Sequence, residues 1–334
     1  MLLGEGRLHG VFCWWLILFF VGGINCFAAS EKEQTARSLS HYMKGLIYDW
    51  QDNTQKAIAE YQESQVHDAD SFASHLRLGV DYARTNKVKE AVAEFETASK
   101  LNPQDLQSHY FLALLYTSMN KNEAANREYE IILKSFSQTE PQEPKVRLYL
   151  GQLYFQQKRF AEAKGQFQEL LKLDPKNIEA LFFLGALCEA EGSEDEAIKY
   201  FKEILKFDPA HTASLNSLGY IYAQQGKNLD EAEHLIKQAL AIEPDNGAYV
   251  DSLGWVYFQK YLQSNDRRLL EEAIAELEKA NSLLPDPTIL EHLGEAYFKN
   301  GEIQKAKMVW QKSLELDPAQ KGLKEKLEKT TSEK

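Results

Sequence analysis

The side chains from which metal sites and catalytic centres are built occur in this chain, but they are not grouped. The eight histidines are scattered, and no two lie three or four residues apart, the spacing that places two ligands on one helix face. Carboxylate pairs such as Glu271–Glu272 fall in stretches typical of solvated helix surfaces. Phosphate-binding glycine loops, zinc-protease motifs, nucleophile elbows and paired cysteines are absent from the sequence. We therefore expect no enzyme activity, no cofactor and no bound metal.

The overall charge narrows the class of partner. The 334 residues include 50 acidic and 38 basic side chains, for a formal net charge of −12. A net negative charge of this size repels a phosphate backbone, so nucleic acid is not an expected partner. We expect the partner to be another protein or a peptide segment.

The one long apolar run lies near the amino terminus, at Val11–Ile24. At about 1.5 Å per helical residue it spans roughly 21 Å, which is less than the ~30 Å hydrocarbon core of a membrane. Small residues follow it, and Cys26 and Ala28 suit the two positions that a signal peptidase recognises. We predict that residues 1–28 are a secretory signal. An uncleaved membrane anchor is the main alternative and lipidation of Cys26 a further one, and each would place the rest of the chain outside the cytoplasm.

A sequence pattern recurs along the chain with a period close to 34 residues. Each copy has a small residue on an apolar helical stretch, most often followed three residues later by tyrosine. An alanine comes next, and a bulky side chain stands four residues after it. The small residues are Gly45, Gly79, Ala113, Gly151, Gly185, Gly219, Gly254 and Gly294. The bulky residues are Tyr61, Phe95, Tyr129, Phe167, Phe201, Ile236, Leu277 and Trp310.

These spacings predict a pair of helices in each copy. The small residue and the tyrosine share one face of a first helix, and the alanine and the bulky residue share one face of a second. Small residues at the facing positions allow the two helices to approach closely. Residues that tolerate a left-handed turn stand between the helices, with Lys158 as the exception. They are Asp52, Asn86, Asn120, Gly192, Gly226 and Gly301.

The pattern resembles the tetratricopeptide repeat, which runs Trp-x-x-Leu-Gly-x-x-Tyr and then Ala, Phe, Ala and Pro. The segments HLRLGVDYA…EAVAEFETASKLNP and ALFFLGALC…EAIKYFKEILKFDP are similar to it. The resemblance implies an all-α fold, a right-handed α-solenoid of about eight helix-turn-helix units with a C-terminal capping helix. The stretch from EPDNGAYVDSLGWVYF to LLPDPTILEHLGEAYF is similar to the end of exported bacterial repeat proteins of undefined specific role, which implies the periplasm or the cell envelope.

Domain bounds follow from the pattern. A short leader, 29–37, precedes eight units at 38–320, and a capping helix with a tail occupies 321–334. Two prolines predict a bend at 137–144. An insertion in unit seven, near 259–268, should carry its first helix to about Leu262 and form a charged turn at Ser264–Arg268.

In this family the first helices line a concave groove. Its inner positions lie three residues before and one after the small residue. Members that clamp a terminal carboxylate need Lys and Asn there in the first units, where this chain has Tyr42 and Leu46, so we do not expect that mode. The last three units instead carry acidic and aromatic residues, which suit a basic or amphipathic partner segment. The candidate binding residues are Asn216, Tyr220, Asp251, Trp255, Phe258, Glu291 and Glu295.

An alternative remains for the groove: its aromatic residues could pack between neighbouring helices while the acids only solvate the surface.

The function predicted here is a non-catalytic adaptor in the bacterial cell envelope. Two alternatives stay open. One is a structural subunit of an envelope or secretion complex, anchored in the inner membrane. The other is a regulatory or substrate-binding subunit of an enzyme supplied by another chain.

Overall fold

A computed structural model describes the backbone of residues 10–332 and, except near the carboxy terminus, the side chains from Ser30 onward. The described chain forms 17 α-helices and no strand. The predicted all-helical fold is confirmed. The helices are α1 Gly10–Trp50, α2 Thr54–His67, α3 Phe72–Arg84, α4 Val88–Leu101, α5 Leu106–Ser118, α6 Asn122–Thr139, α7 Pro144–Gln156, α8 Phe160–Leu173, α9 Ile178–Ala190, α10 Glu194–Phe207, α11 Thr212–Gln224, α12 Leu229–Ile242, α13 Gly247–Ser264, α14 Arg267–Leu283, α15 Pro287–Lys299, α16 Ile303–Leu316 and α17 Lys321–Ser332.

Successive helices form hairpins: α1 packs on α2, α3 on α4, and so on to α15 on α16. Each hairpin turns sharply because one residue after the first helix adopts the left-handed conformation. The predicted turn residues all have positive φ, and so does Lys158, at +58°. A lysine there carries the cost of a Cβ in that region, which glycine avoids. The positive-φ turn residues are Asp52, Asn86, Asn120, Lys158, Gly192, Gly226, Asn265 and Gly301, with Asn228 as a second one in the turn between α11 and α12.

Close approach of the paired helices depends on the small residues. A Cβ placed on Gly79 would lie 2.8 Å from a ring carbon of Phe95, and one on Gly185 would lie 2.7 Å from Phe201. The bulky ring therefore occupies the space that the missing side chain leaves. The same glycine–aromatic contact recurs at Gly45, Gly151 and Gly294, while Gly219 and Gly254 meet the aliphatic side chains of Ile236 and Leu277.

The chain forms two compact bodies. The amino-terminal body ends at Pro141 and holds α1–α6, and the carboxy-terminal body begins at Gln142 and holds α7–α17. The division falls within the segment 137–144. Helix α6 ends at Thr139, and Pro144 begins α7, where its missing N–H is no loss.

The structure differs from the expected bounds in two places. The leader 29–37 is not a separate segment, since α1 runs through it without a break. The charged turn expected at Ser264–Arg268 is shorter than predicted: α13 continues to Ser264, α14 begins at Arg267, and Asn265 makes the left-handed turn. Gln263 Nε2 donates to the Gly226 carbonyl at 2.7 Å, so the added helical turn is held against the preceding hairpin.

Helix α17 covers the end of the carboxy-terminal body. Leu323 is buried there, and Leu327 packs against the same core. At the opposite end of the chain, the predicted signal or anchor, residues 1–28, lies outside the residues whose side chains the structure describes. In the described part of the chain, no helix has both the length and the apolar character that a membrane span requires.

Candidate functional site

The seven predicted binding residues lie on three first helices of the carboxy-terminal body. Asn216 and Tyr220 are on α11, and Glu291 and Glu295 are on α15. Helix α13 lies between them, in contact with both, and carries the other three, Asp251, Trp255 and Phe258. The fold therefore brings these helices side by side, as the repeat spacing predicts. It does not give the seven side chains equal access to a ligand.

A stack of rings forms the centre of the site. The indole of Trp255 lies against the His292 imidazole, with centroids 4.0 Å apart and planes 17° apart. The Phe258 ring stacks on the same indole, with centroids 5.1 Å apart. The Tyr220 ring lies 6.2 Å from the imidazole. Trp255 and Tyr220 thus take part in packing between neighbouring first helices while both remain partly exposed.

Asp251 and Phe258 lie beneath the groove rather than on its surface. Phe258 is 2% exposed, and its ring belongs to the hydrophobic core. Asp251 is 5% exposed and receives the Nδ1–H of His292, which lies 3.0 Å from each carboxylate oxygen. The two residues therefore shape and orient the site instead of meeting a ligand directly, because their side chains are already enclosed by protein.

The two glutamates on α15 are paired with the capping helix. Lys326 Nζ of α17 donates to Glu295 and, at 3.2 Å, to Glu291. This ammonium group offsets part of the negative charge expected at the carboxy-terminal end of the groove. The three acidic candidates Asp251, Glu291 and Glu295 therefore all have partners within the protein.

A cavity of about 340 Å³ opens beside α11 and α13. Asn216, Tyr220 and Asp251 of the predicted set line it, together with Glu189 from α9 and Asp286 from the turn before α15. No lysine, arginine or histidine is among its lining residues. Of the three acidic lining residues, Asp251 is bound to His292 and Asp286 accepts from the Thr288 N–H at 2.8 Å, which leaves the Glu189 carboxylate.

The charge in the cavity is poorly compensated. Burial, followed by repulsion from Glu194, raises the pKa of the Glu189 carboxyl. Among the described contacts, the side chain of Glu189 has neither a hydrogen bond nor an ion pair. Burial and then the nearby Asp251 carboxylate raise the pKa of Tyr220 to about 12, while a hydrogen bond from Gln224 opposes the shift. Tyr220 is therefore a neutral phenol whose O–H can donate.

Two further polar atoms of the predicted residues have no partner within the described structure. They are Oδ1 of Asn216 and Nε1 of Trp255, and both are buried. A buried donor or acceptor without a hydrogen bond costs free energy. The site can therefore gain stability from a ligand that supplies the complementary groups. In contrast, no cluster of three or more His, Cys, Asp or Glu in the described part of the chain could hold a metal ion.

Sequence reasoning missed Glu189 and His292. Glu189 stands four residues after Gly185, as Phe258 does after Gly254. This position lies one helical turn beyond the inner groove position that follows the small residue, so the repeat pattern could have indicated it. His292 stands two residues before Gly294, on the face of α15 turned toward α13. Its pairing with Asp251, 41 residues earlier, could not be found from spacing within one repeat.

Comparison with known proteins identifies the repeats. Family models described as tetratricopeptide repeat match residues 76–118, 116–178, 154–215, 189–254 and 287–320. Together these matches cover more than half of the chain and include all of the predicted binding residues except Trp255 and Phe258. No curated protein matches the sequence as a relative.

Solved structures share the helical architecture at low sequence identity. The Cut9–Hcn1 hetero-tetramer of the APC/C is similar at a TM-score of 0.55 and 16% identity, over 88% of this chain and 69% of that chain. The thermophilic TPR protein TTC0263 of Thermus thermophilus gives 0.47 and 23%, over 57% and 99%. The MamA fragment of Desulfovibrio magneticus RS-1 gives 0.42 and 21%, over 53% and 97%. At these identities only the fold is compared.

Proposed function

This chain belongs to the tetratricopeptide repeat family, and from that premise we propose that it is a non-catalytic scaffold that holds a segment of another protein. The segment lies across α11, α13 and α15 of the carboxy-terminal body. Its contacts are centred on Tyr220, Trp255 and the cavity beside them. Proteins of this family generally act as interaction scaffolds without catalysis of their own.

The observation that carries the proposal is the uncompensated carboxylate of Glu189. Glu189 lines the cavity, and no lysine, arginine or histidine is among the lining residues. A carboxylate that is partly removed from water without a counterion is destabilised, and a cationic group from outside would relieve this cost. The volume of about 340 Å³ suits one long side chain rather than a folded domain.

The partner segment is therefore basic or amphipathic, with a lysine or arginine side chain directed into the cavity. The neighbouring rings of Tyr220 and Trp255 offer faces for cation–π contact or apolar packing. Around this point, partly exposed Asn216 can hydrogen-bond the backbone of an extended segment. The negative electrostatic potential of the acidic cavity would also attract such a segment during association, and salt would weaken that attraction.

We further propose that the scaffold works in the bacterial cell envelope, exported to the periplasm by the amino-terminal signal. In the alternative, the amino-terminal segment stays uncleaved and anchors the chain in the inner membrane. Both rest on the apolar segment at Val11–Ile24 and the small residues that follow it.

Fluorescence anisotropy with three labelled 15-residue peptides tests the binding site. The peptides share one amphipathic apolar pattern and carry lysine and arginine, glutamine, or glutamate at the polar positions. We expect the cationic peptide to bind at least about tenfold more tightly than the other two, with the difference shrinking as salt rises. Equal binding of all three would refute the cationic partner.

Variants then locate the contact. Glu189→Gln and Tyr220→Ala should each weaken binding of the cationic peptide about three- to tenfold. Trp255→Ala should weaken it more, because a large ring is lost together with its stack on His292. Glu169→Gln is the matched control, since this exposed acid lies on α8 and pairs with Lys172 outside the cavity. If the cavity variants bind like the control, the groove is not the site.

A further inference from the structure

Three histidines of the amino-terminal body make the same contact in successive hairpins. Each lies on a first helix, and its Nδ1 meets a glutamate of the paired second helix 19 residues later. The distances are 2.7 Å for His41 and Glu60, 2.6 Å for His75 and Glu94, and 2.6 Å for His109 and Glu128. In each case the pair is partly or largely buried. The array therefore repeats a titratable contact, not only an apolar one.

Two of the three rings are bound at both nitrogens. His75 Nε2 lies 2.9 Å from the Ala69 carbonyl oxygen, and His109 Nε2 lies 3.3 Å from the Pro103 carbonyl oxygen. Each carbonyl belongs to the loop that leads in from the preceding hairpin. Each ring therefore links its own second helix to the hairpin before it.

The partners dictate how many protons each site holds. A carbonyl oxygen only accepts, so Nε2 carries a hydrogen, and a contact of 2.6 Å between Nδ1 and a carboxylate oxygen needs a second hydrogen between them. Whether that hydrogen lies on the ring or on the carboxyl group, the site holds one proton more than a neutral imidazole beside a free carboxylate. Gln65 Nε2 lies 2.9 Å from both the same oxygen of Glu94 and His75 Nδ1, and its N–H can donate to that carboxylate oxygen.

The corresponding positions in the first hairpin of the carboxy-terminal body have no titratable pair. There Arg147 donates to Gln166 at 3.1 Å, again 19 residues apart. The guanidinium group of Arg147 in this contact keeps its positive charge throughout the neutral pH range. The chain thus contains both a pH-dependent and a pH-independent version of one structural contact.

We propose that the His75–Glu94 and His109–Glu128 pairs make helices α3–α6 a pH-sensitive element, whose hairpins are held together most firmly when the pairs are protonated and loosen as the pH rises. In the carboxy-terminal body, helices α9–α12 have no such pair among their described contacts and keep their stability over the same range. Helices α3–α6 would in this way respond to the acidity of their compartment.

The groups that face each ring support a loss of stability as the pH rises. His41 meets Glu60 and stacks on His67, with ring centroids 5.6 Å apart. His75 pairs with Glu94, and the carboxylate of Asp70 also raises the pKa of His75. Around His109 the acceptors are Glu128 from α6 and the Pro103 carbonyl from the preceding loop.

The sign of the effect follows from linkage. Burial alone would lower the pKa of His75, but the hydrogen bonds to Glu94 and to the Ala69 carbonyl outweigh it and raise the pKa above 6.5. Stability from such a group is complete below the pKa of the unfolded chain and is lost as the pH rises through the higher folded value. The amino-terminal body should therefore weaken between slightly acidic and slightly alkaline pH.

Amide hydrogen exchange of the full chain at pH 6 and pH 8 tests the proposal, with rates corrected for the intrinsic effect of pH. We expect protection of α3–α5 to fall about tenfold from pH 6 to pH 8, while protection of α9–α12 changes much less. The comparison protein replaces two pairs by the chain's own pH-independent contact: His75→Arg with Glu94→Gln, and His109→Arg with Glu128→Gln. In that protein the fall over α3–α5 should shrink to about threefold or less.

Equal pH dependence in the parent and the substituted protein would overturn the proposal, and so would protection in the parent that does not change with pH. Imidazole nitrogen NMR of the parent gives a second readout that does not depend on the variants folding. The ring of His75 should titrate at a higher pH than free histidine. A His75 ring that is already neutral at pH 6 would refute the proposed mechanism.

Discussion

At the scale of single residues, Asp81 differs from its equivalents in the other hairpins. The residues two positions after Gly151, Gly185, Gly219 and Gly254 are aliphatic and buried, whereas α3 has an aspartate there that is also fully buried. Neither carboxylate oxygen of Asp81 has a hydrogen-bond partner in the described structure. Asp49 of α1 faces it, and Arg84 lies 3.6 Å from one oxygen of each carboxylate. Tyr61 donates its O–H to the other oxygen of Asp49 at 2.7 Å.

Burial, and then the Asp49 carboxylate, raises the pKa of Asp81 to about 7. Between about pH 4 and pH 7 the folded protein thus holds a proton that the unfolded chain has released, and stability falls as the pH rises through that window. We expect Asp81→Leu to raise the free energy of unfolding by about 1–4 kcal/mol at pH 8 and by less at pH 5. Urea unfolding at both pH values measures this, with the exposed acid Glu63→Gln as control. A leucine variant that is less stable than the parent at pH 8 would contradict the assignment.

At the scale of helices, the same glycine substitution should have opposite effects at two sites. At Gly185 a Cβ would lie 2.7 Å from Phe201, in the contact between α9 and α10. At Gly165, within α8, a Cβ would meet no atom within 4 Å. The first glycine is needed for close approach, and the second only lowers helix propensity.

Gly185→Ala should therefore destabilise the protein by about 1–3 kcal/mol through overpacking. Gly165→Ala should instead stabilise it by about 0.5–1 kcal/mol, because alanine favours the helix over the unfolded chain. Urea unfolding followed by circular dichroism measures both. Effects of the same sign would show that the glycine–aromatic contact does not limit how closely the helices pack.

At the scale of the whole molecule, the proposed export makes a prediction about the length of the mature chain. If a signal peptidase cuts after Ala28, intact-mass analysis of protein from its native cells should give a chain that begins at Ala29, recovered with the soluble envelope fraction. Substituting Ala28 by a bulky residue, as in Ala28→Leu, should block the cut, because the enzyme accepts small residues there. A full-length chain in the membrane fraction would favour the anchored alternative.

Much of the fold could be predicted from the sequence because the interactions that build it are local and repeat. A small residue and a bulky residue at fixed spacing determine each hairpin, and a turn residue with positive φ closes it. Even Lys158, an unfavourable residue for that conformation, adopts it, because the two helices on either side impose the geometry. Two bounds differed: α1 runs through the expected leader, and α13 continues to Ser264, since the insertion carries no glycine to end the helix before Asn265.

Tertiary structure decided which groove residues are accessible. Repeat spacing placed Asp251 and Phe258 on the correct helix, but it could not show that His292 and the core enclose them. Nor could it show that Lys326 pairs with Glu291, or that Glu189 enters the cavity without a partner. The sequence alone thus determined the hairpins, their turns and their stacking, which depend on neighbours close along the chain. Burial and charge in the groove depend on how side chains from several helices meet, and that arises only when the hairpins are packed together.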